Sequence, residues 1–244
     1  MNDLTEVKTV MVTGASSGIG EAICRLLARQ GHRIIAVARN SQRLDQLKGE
    51  LETDCCTLAL DVTDAQKVAT VIDQLPEAFR EIGVLVNNAG HDVGGRRRFD
   101  EGSADQWCDI IETNVQGMIR MTHAIIDGML ARGQGHVVNM GSIAGIKSVA
   151  TMAAYVSSKH AVHGLSETLR LDYAGQGIRV TEILPGLVRT GFAEQRLGDA
   201  AQADAFYEEQ AVYLQPDDIA RTVDYAIHQP AHVEISQMVV LPVS

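Results

Sequence analysis

The chain has 244 residues, a formal net charge of -10, and 45% hydrophobic against 21% charged residues. That length fits a single α/β domain over residues 1–244 with a full core, and the acidic balance argues against nucleic acid or an anionic membrane as partner. The four cysteines (Cys24, Cys55, Cys56, Cys108) have neither C-x-x-C nor Cys/His spacing, so no metal is expected and the thiols read as reduced and mostly buried.

The opening M-N-D-L-T-E-V-K is polar, with no apolar core of a signal peptide, and no apolar run is long enough to span a bilayer. A soluble, cytoplasmic protein is the expectation. Residues 7–13 read as a first strand and 20–30 as a helix ended by Gly31. Residues 33–38 form the next strand, and a helix N-capped by Ser41 runs to about Leu51. Strand three is expected at 57–60, followed by a helix opened by a Thr63/Gln66 capping box. Strand four is 84–87. A Gly- and Arg-rich loop then leads into one long helix from about 104 to 132. Strand five (136–140), a helix carrying Tyr155, strand six (179–184), a helix at 217–228 and a short strand at 238–241 complete the pattern. Alternating short apolar strands and helices predict a doubly wound parallel sheet of about seven strands with helices on both faces, and a ligand site beyond the carboxyl ends of the strands.

Two stretches carry chemistry. After strand one, T-G-A-S-S-G-I-G sets Gly14, Gly18 and Gly20 between a strand and a helix. There glycine lets a diphosphate approach bare amides, and the helix N-terminus adds partial positive charge. Further on, Tyr155 and Lys159 are four apart, on one face of a helix. An ammonium roughly 5 Å from a phenolate is worth about 3 kcal/mol at an effective dielectric of about 20, enough to bring a tyrosine from about 10 towards about 8. Ser142 precedes the pair and offers a hydroxyl to the same reacting oxygen.

The glycine spacing, N-N-A-G at 87–90, Asn114, Ser142 and Y-x-x-x-K, in this order over essentially the whole chain, resemble the short-chain dehydrogenases/reductases. The resemblance implies a single-domain Rossmann fold and a nicotinamide cofactor held by Gly14, Ser16, Ser17, Gly18, Ile19 and Gly20. It also implies adenine contacts from Asp61 and Val62; the structural alternative is that Asp61 merely starts the next turn, and both could hold. Backbone at Asn88, Ala89 and Gly90 would lie along the cofactor, and Pro185, Gly186, Val188 and Thr190 would hold its carboxamide. Asn114, Ser142, Tyr155 and Lys159 are implied as catalytic: Tyr155 the proton donor, Ser142 the orienting hydroxyl, Lys159 the group that lowers the tyrosine pKa and binds ribose, and Asn114 the holder of a relay water. At the end of strand two stands Ala38 rather than an acid, followed by Arg39, with Arg43 nearby. Guanidinium favours a 2′-phosphate, so NADP(H) is expected.

The ending, the stretch before N-N-A-G and P-A-H-V resemble the subgroup acting on 3-hydroxy acids, serine and small aldehydes such as sulfoacetaldehyde or malonic semialdehyde. A reductase of bulkier steroid-like or aryl ketones and a non-catalytic NADP-binding regulator are the alternatives. A lyase-type relative is a further one, expected to lack the glycine turn and the phosphate-binding Arg. Arg96, Arg97 and Arg98 could attract an anionic substrate or form a solvated charge run, the second favoured. Residues 192–213 are expected to form a substrate lid, with Phe192, Phe206, Tyr207 and Tyr213 as core or as pocket lining. His91 and His163 read as structural. Trp107 and the neighbouring helices resemble subunit-pairing surfaces, implying a homo-oligomer, dimer or tetramer.

Overall fold

The computed structural model describes residues 7–210 and 212–243. Residues 1–6, most of the polar opening stretch, lie outside the described residues, as does 211 within the expected lid. Strands β1 (Thr9–Thr13), β2 (Arg33–Ala38), β3 (Cys55–Ala59), β4 (Val84–Asn87), β5 (Gly135–Met140), β6 (Ile178–Pro185) and β7 (Gln237–Val240) form one parallel sheet in the order β3-β2-β1-β4-β5-β6-β7. Around it lie α1 (Gly18–Arg29), α2 (Ser41–Glu50), α3 (Ala65–Ala69), α4 (Ala104–Ile111), α5 (Met118–Arg132), α6 (Ala153–Asp172), α7 (Phe192–Leu197), α8 (Ala200–Glu208) and α9 (Pro216–Ile227).

The central strands are apolar throughout because both faces are covered. Val10 and Val12 join Ile23, Leu27 and Val223 in one core layer, while Met11 between them faces Leu85, Met121 and Ile125 in the other. Strand order reverses between β1 and β4, and a ligand crevice forms at such a switch point.

Several boundaries differ from the sequence reading. The first strand begins at Thr9, and the third begins earlier, at Cys55, where it pairs with Ile34. The cap of α2 is Asn40, not Ser41: its side chain accepts the Arg43 amide at 3.0 Å. Nor does Thr63 open α3. Asp61 Oδ1 accepts both its amide and its hydroxyl (3.0 and 2.8 Å), and Asp64 takes the capping position on the Lys67 amide.

The expected long helix is interrupted by a π-helical turn, Glu112–Gly117, between α4 and α5. At its end Gly117 packs so closely on Val62 that a Cβ would overlap it. The widened turn carries the buried Asn114, and inserted turns of this kind commonly mark functional sites. Among the described residues no helix is long and apolar enough to cross a membrane, and no cluster of His, Cys, Asp and Glu could hold a metal ion. Only Cys24 of the four cysteines is buried; Cys55 and Cys56 are half-buried and Cys108 is exposed, contrary to the expectation of mostly buried thiols.

Just past the ends of α1 and α9 lies a histidine pair. His32 Nδ1 accepts the Lys8 amide at 3.1 Å, so its Nε2 carries the proton towards His228 Nε2, 3.1 Å away; His228 Nδ1 in turn bonds the Asp224 carbonyl at 3.0 Å. Burial and the facing ring push the His32 pKa down to about 4. An unfolded histidine takes its proton near pH 6.5, and the folded one resists until about 4. This contribution to stability is therefore complete above pH 6.5 and lost as pH falls to 4. Urea unfolding of wild type and His32→Gln should show the wild type losing about 2 kcal/mol more between pH 7 and 4.5. Parallel pH curves would remove the histidine pair as the cause.

Candidate active site

Beyond the carboxyl ends of the strands lies a cleft of about 1220 Å³. At one end, the turn from β1 to α1 passes through the left-handed region at Gly14 (φ 67°) and Gly18 (φ 55°), which L side chains rarely adopt. Gly20 is bare for a different reason: a Cβ there would overlap the Gly14 carbonyl oxygen, so the turn can fold back on its own helix. The turn is clamped to β4. Thr13 Oγ1 accepts the Asn88 and Ala89 amides, both at 2.9 Å, and Asn88 Nδ2 donates to the Thr13 carbonyl at 3.0 Å. Ser17 makes no side-chain cap bond to α1, so its side chain does not compete for the first-turn amides that suit an anion.

Along the rim, Arg39 and Arg43 line the cleft beside Asp61 and Val62. The Arg39 guanidinium is largely exposed and stands 4.0 Å from Asp61 Oδ2. Every predicted site residue lines the cleft except Gly20, packed behind the turn, and Asn114. This bare turn, helix N-terminus and pair of guanidiniums form a donor set that fits a phosphorylated dinucleotide.

On the cleft floor, α6 presents Tyr155 and Lys159, and Ser142 stands just past β5. Ser142 caps the following 3₁₀ turn, its Oγ accepting the Ala144 amide at 3.1 Å. Lys159 Nζ donates to the Met140 carbonyl at 2.8 Å and lies 5.7 Å from the centre of the Tyr155 ring. Burial drives Lys159 down to about 8, against the opposing charge of Glu182.

The expected downward shift of Tyr155 is not what the geometry gives. Burial raises its pKa above the ordinary phenol value, outweighing the Ser142 hydrogen bond and the Arg196 charge that pull it down, and Asp92 adds to the rise. The Lys159 ammonium is itself desolvated and turned to a backbone carbonyl, so its field does not dominate. The resting tyrosine is a protonated acid.

Asn114 lies one layer behind the floor. Its Oδ1 accepts the His91 amide at 2.8 Å, and its Nδ2 donates to the His91 carbonyl (2.9 Å) and Ser158 Oγ (3.1 Å). The side chain is thus committed to fixing the loop after β4 onto α6. Asn87 acts similarly, bonding Thr122 and Asn139 at 2.9 Å each in the sheet interior.

The lid segment divides its aromatic residues. Tyr207 is buried among Ala193, Ala203 and Leu197, and its hydroxyl donates to the Val188 carbonyl at 2.9 Å, while Phe206 and Tyr213 pack around it. Phe192 instead meets Tyr155 edge-on, 5.6 Å between ring centres. Two residues were not singled out from the sequence. Arg196 lies 5.6 Å over the Tyr155 ring, and its Nε pairs with the buried Asp92 at 2.6 Å. A guanidinium in an Ala-rich segment has no spacing signature; only the fold brings it 104 positions back to Asp92.

The arginine run is mostly not at the site. Arg98 pairs with Asp100 at the surface, and Arg97 uses its amide on the Thr151 carbonyl. Arg96 alone of the three lines the cleft, near the Phe206 ring.

A doubly wound sheet with a glycine phosphate cradle and a Ser/Tyr/Lys floor defines a dinucleotide-binding protein of the Rossmann type. The short chain dehydrogenase family matches residues 8–200, and the chain belongs to it. It is 39% identical over 237 residues to sulfoacetaldehyde reductase 2 of Chromohalobacter salexigens, covering 96% of this chain and 93% of that protein. It is 38% identical to the NADP-dependent 3-hydroxy acid dehydrogenase YdfG of Escherichia coli K12, over 96% and 95%. Among solved structures, the closed form of serine dehydrogenase complexed with NADP+ superposes with a TM-score of 0.91 at 37% identity, covering 95% of this chain and 93% of that one.

Proposed function

We propose that this protein is an NADP(H)-dependent oxidoreductase interconverting a small polar alcohol and its carbonyl. One observation carries the reading: Ser142, Tyr155 and Lys159 share the floor of a cleft whose far end is the glycine cradle with Arg39 and Arg43. The nicotinamide, when bound, supplies hydride exchange with the substrate carbon. Tyr155, protonated at rest, gives its proton to the carbonyl oxygen in reduction and recovers it in oxidation. Ser142 donates a hydrogen bond to that oxygen and orients it. Lys159 would hold the nicotinamide ribose and favour the phenolate as it forms. Pro185, Gly186, Val188 and Thr190 would hold the carboxamide. Asn114, which fixes His91 beside the site, would support a water between Lys159 and solvent.

The relatives named above act on sulfoacetaldehyde, 3-hydroxy acids and serine. Arg196 and Phe192 over Tyr155 support a substrate of this size carrying an anionic group, rather than a steroid-like or aryl ketone. The intact Asn/Ser/Tyr/Lys set favours an enzyme over a non-catalytic regulator. We also place the protein in the cytoplasm as a homo-oligomer, a dimer or tetramer; exposed Val239, Leu241 and Val243 at the edge strand support association.

The test is cofactor-linked absorbance with NADPH and NADH against anionic and neutral aldehydes and their alcohols. Arg196→Gln, paired with Asp92→Asn to avoid stranding a buried carboxylate, should raise KM for anionic substrates about 10-fold or more, and leave neutral ones within a few-fold. Equal losses on both would remove Arg196 as the recognising group. No cofactor oxidation with any carbonyl would remove the reading itself.

A further inference from the structure

Next to Lys159, β6 carries a carboxylate that the chemistry above does not use. Glu182 is wholly buried in the strand. Its Oε2 stands 2.7 Å from His163 Nδ1 and accepts Gln237 Nε2 at 3.1 Å. Its Oε1 has no hydrogen-bond partner among the described residues and packs on Gly141, where a Cβ would overlap it. Gly141 directly follows Met140, whose carbonyl takes the Lys159 ammonium. Consecutive peptide units at the end of β5 thus carry the cation on one and the anion against the next. A buried carboxylate with an unpartnered oxygen is costly unless nearby cations compensate it. Helix α6 supplies one, Lys159, and one turn on, on the same face, sets His163 Nδ1 against the carboxylate.

We propose that Glu182 is a positioning residue that keeps Lys159 charged. The electrostatics agree, since burial alone drives Lys159 down and Glu182 opposes it. The other charged groups here also come from α6. Glu167 stands 3.7 Å from His163 Nε2 and leads to solvent, and Arg170 bonds the Val180 and Ser236 carbonyls. From β7 only the neutral Gln237 reaches Glu182, and from β5 the residue in register is the neutral Asn139, whose amide is held by Ser166. The buried carboxylate holds a proton on Lys159.

This inference rests on Lys159 being the partner of Tyr155, and its test reads the lysine itself. Selectively ¹³Cε-labelled lysine in the cofactor-free protein follows Lys159 by NMR across pH, assigned by its loss in Lys159→Arg. In Glu182→Gln the Lys159 titration should move down by about one pH unit, and in Glu182→Asp by less. The alkaline limb of the kcat profile should move in parallel, whereas a purely structural role would scale kcat without moving the limb. If Glu182→Gln does not fold, Glu182→Asp, which keeps the charge but draws it back, decides the matter. An unmoved Lys159 in a folded variant overturns the proposal. A shifted Lys159 in a protein that reduces no carbonyl would keep this inference and sink the functional reading.

Discussion

Tyr155→Phe should lower kcat by about 10²- to 10⁴-fold, the usual contribution of a placed general acid/base. NADPH affinity and thermal unfolding should stay near wild type. The ring's contacts survive the change: Phe192 meets it edge-on, and Arg196 lies over its face. Only the hydroxyl facing Ser142 is lost, so the deficit falls on proton transfer rather than on folding. The raised phenol pKa adds a direction. In the resting enzyme the proton is already in place for reduction, while oxidation must first remove it. The oxidative rate should therefore climb with pH beyond the range in which the reductive rate has levelled. Stopped-flow single turnovers in both directions would check this. A loss of only a few-fold in Tyr155→Phe would mean that water or another side chain supplies the proton.

The second large effect belongs to Arg39. Arg39→Glu should lower kcat/KM for NADPH by about 10²-fold or more and leave NADH unchanged or improved. A charge-assisted bond to phosphate contributes roughly 1.5–3 kcal/mol, and a carboxylate in its place repels the 2′-phosphate while suiting the ribose hydroxyls of NAD. In the structure Arg39 is held towards the rim by Asp61, itself fixed by the Thr63 amide and hydroxyl. Asp61→Asn should therefore weaken NADPH binding less than Arg39→Glu, by loosening the guanidinium rather than removing it. An enzyme that prefers NADH before any substitution would end the argument from Ala38 and Arg39.

Much of the site was legible without coordinates because its parts are local. A glycine turn needs only a strand before it and a helix after it. Tyr155 and Lys159 share a face through the helical period alone, and Arg39 follows directly on a strand end. Some of the errors were local as well. Asn40 and Ser41 both make good caps, as do Thr63 and Asp64, and in the second pair the choice fell to the side chain that was free. Asp61 already occupied Thr63. The π-helical turn had no legible signature, since it answers to the close approach of Gly117 to Val62 across 55 positions.

The sequence by itself determined the fold class and pointed to the glycine turn and to Tyr155 and Lys159 on one helix face, because periodicity, glycine conformational freedom and i,i+4 spacing are properties of neighbouring residues; the roles proposed for them with Ser142 came from the family resemblance. Only the tertiary structure decided the electrostatics. It turned Lys159 towards the Met140 carbonyl, raised Tyr155 by burial, brought Arg196, paired with Asp92, over the Tyr155 ring, and set Glu182 against Gly141. Charges act through space and through the dielectric around them, and neither distance nor desolvation is written along a chain.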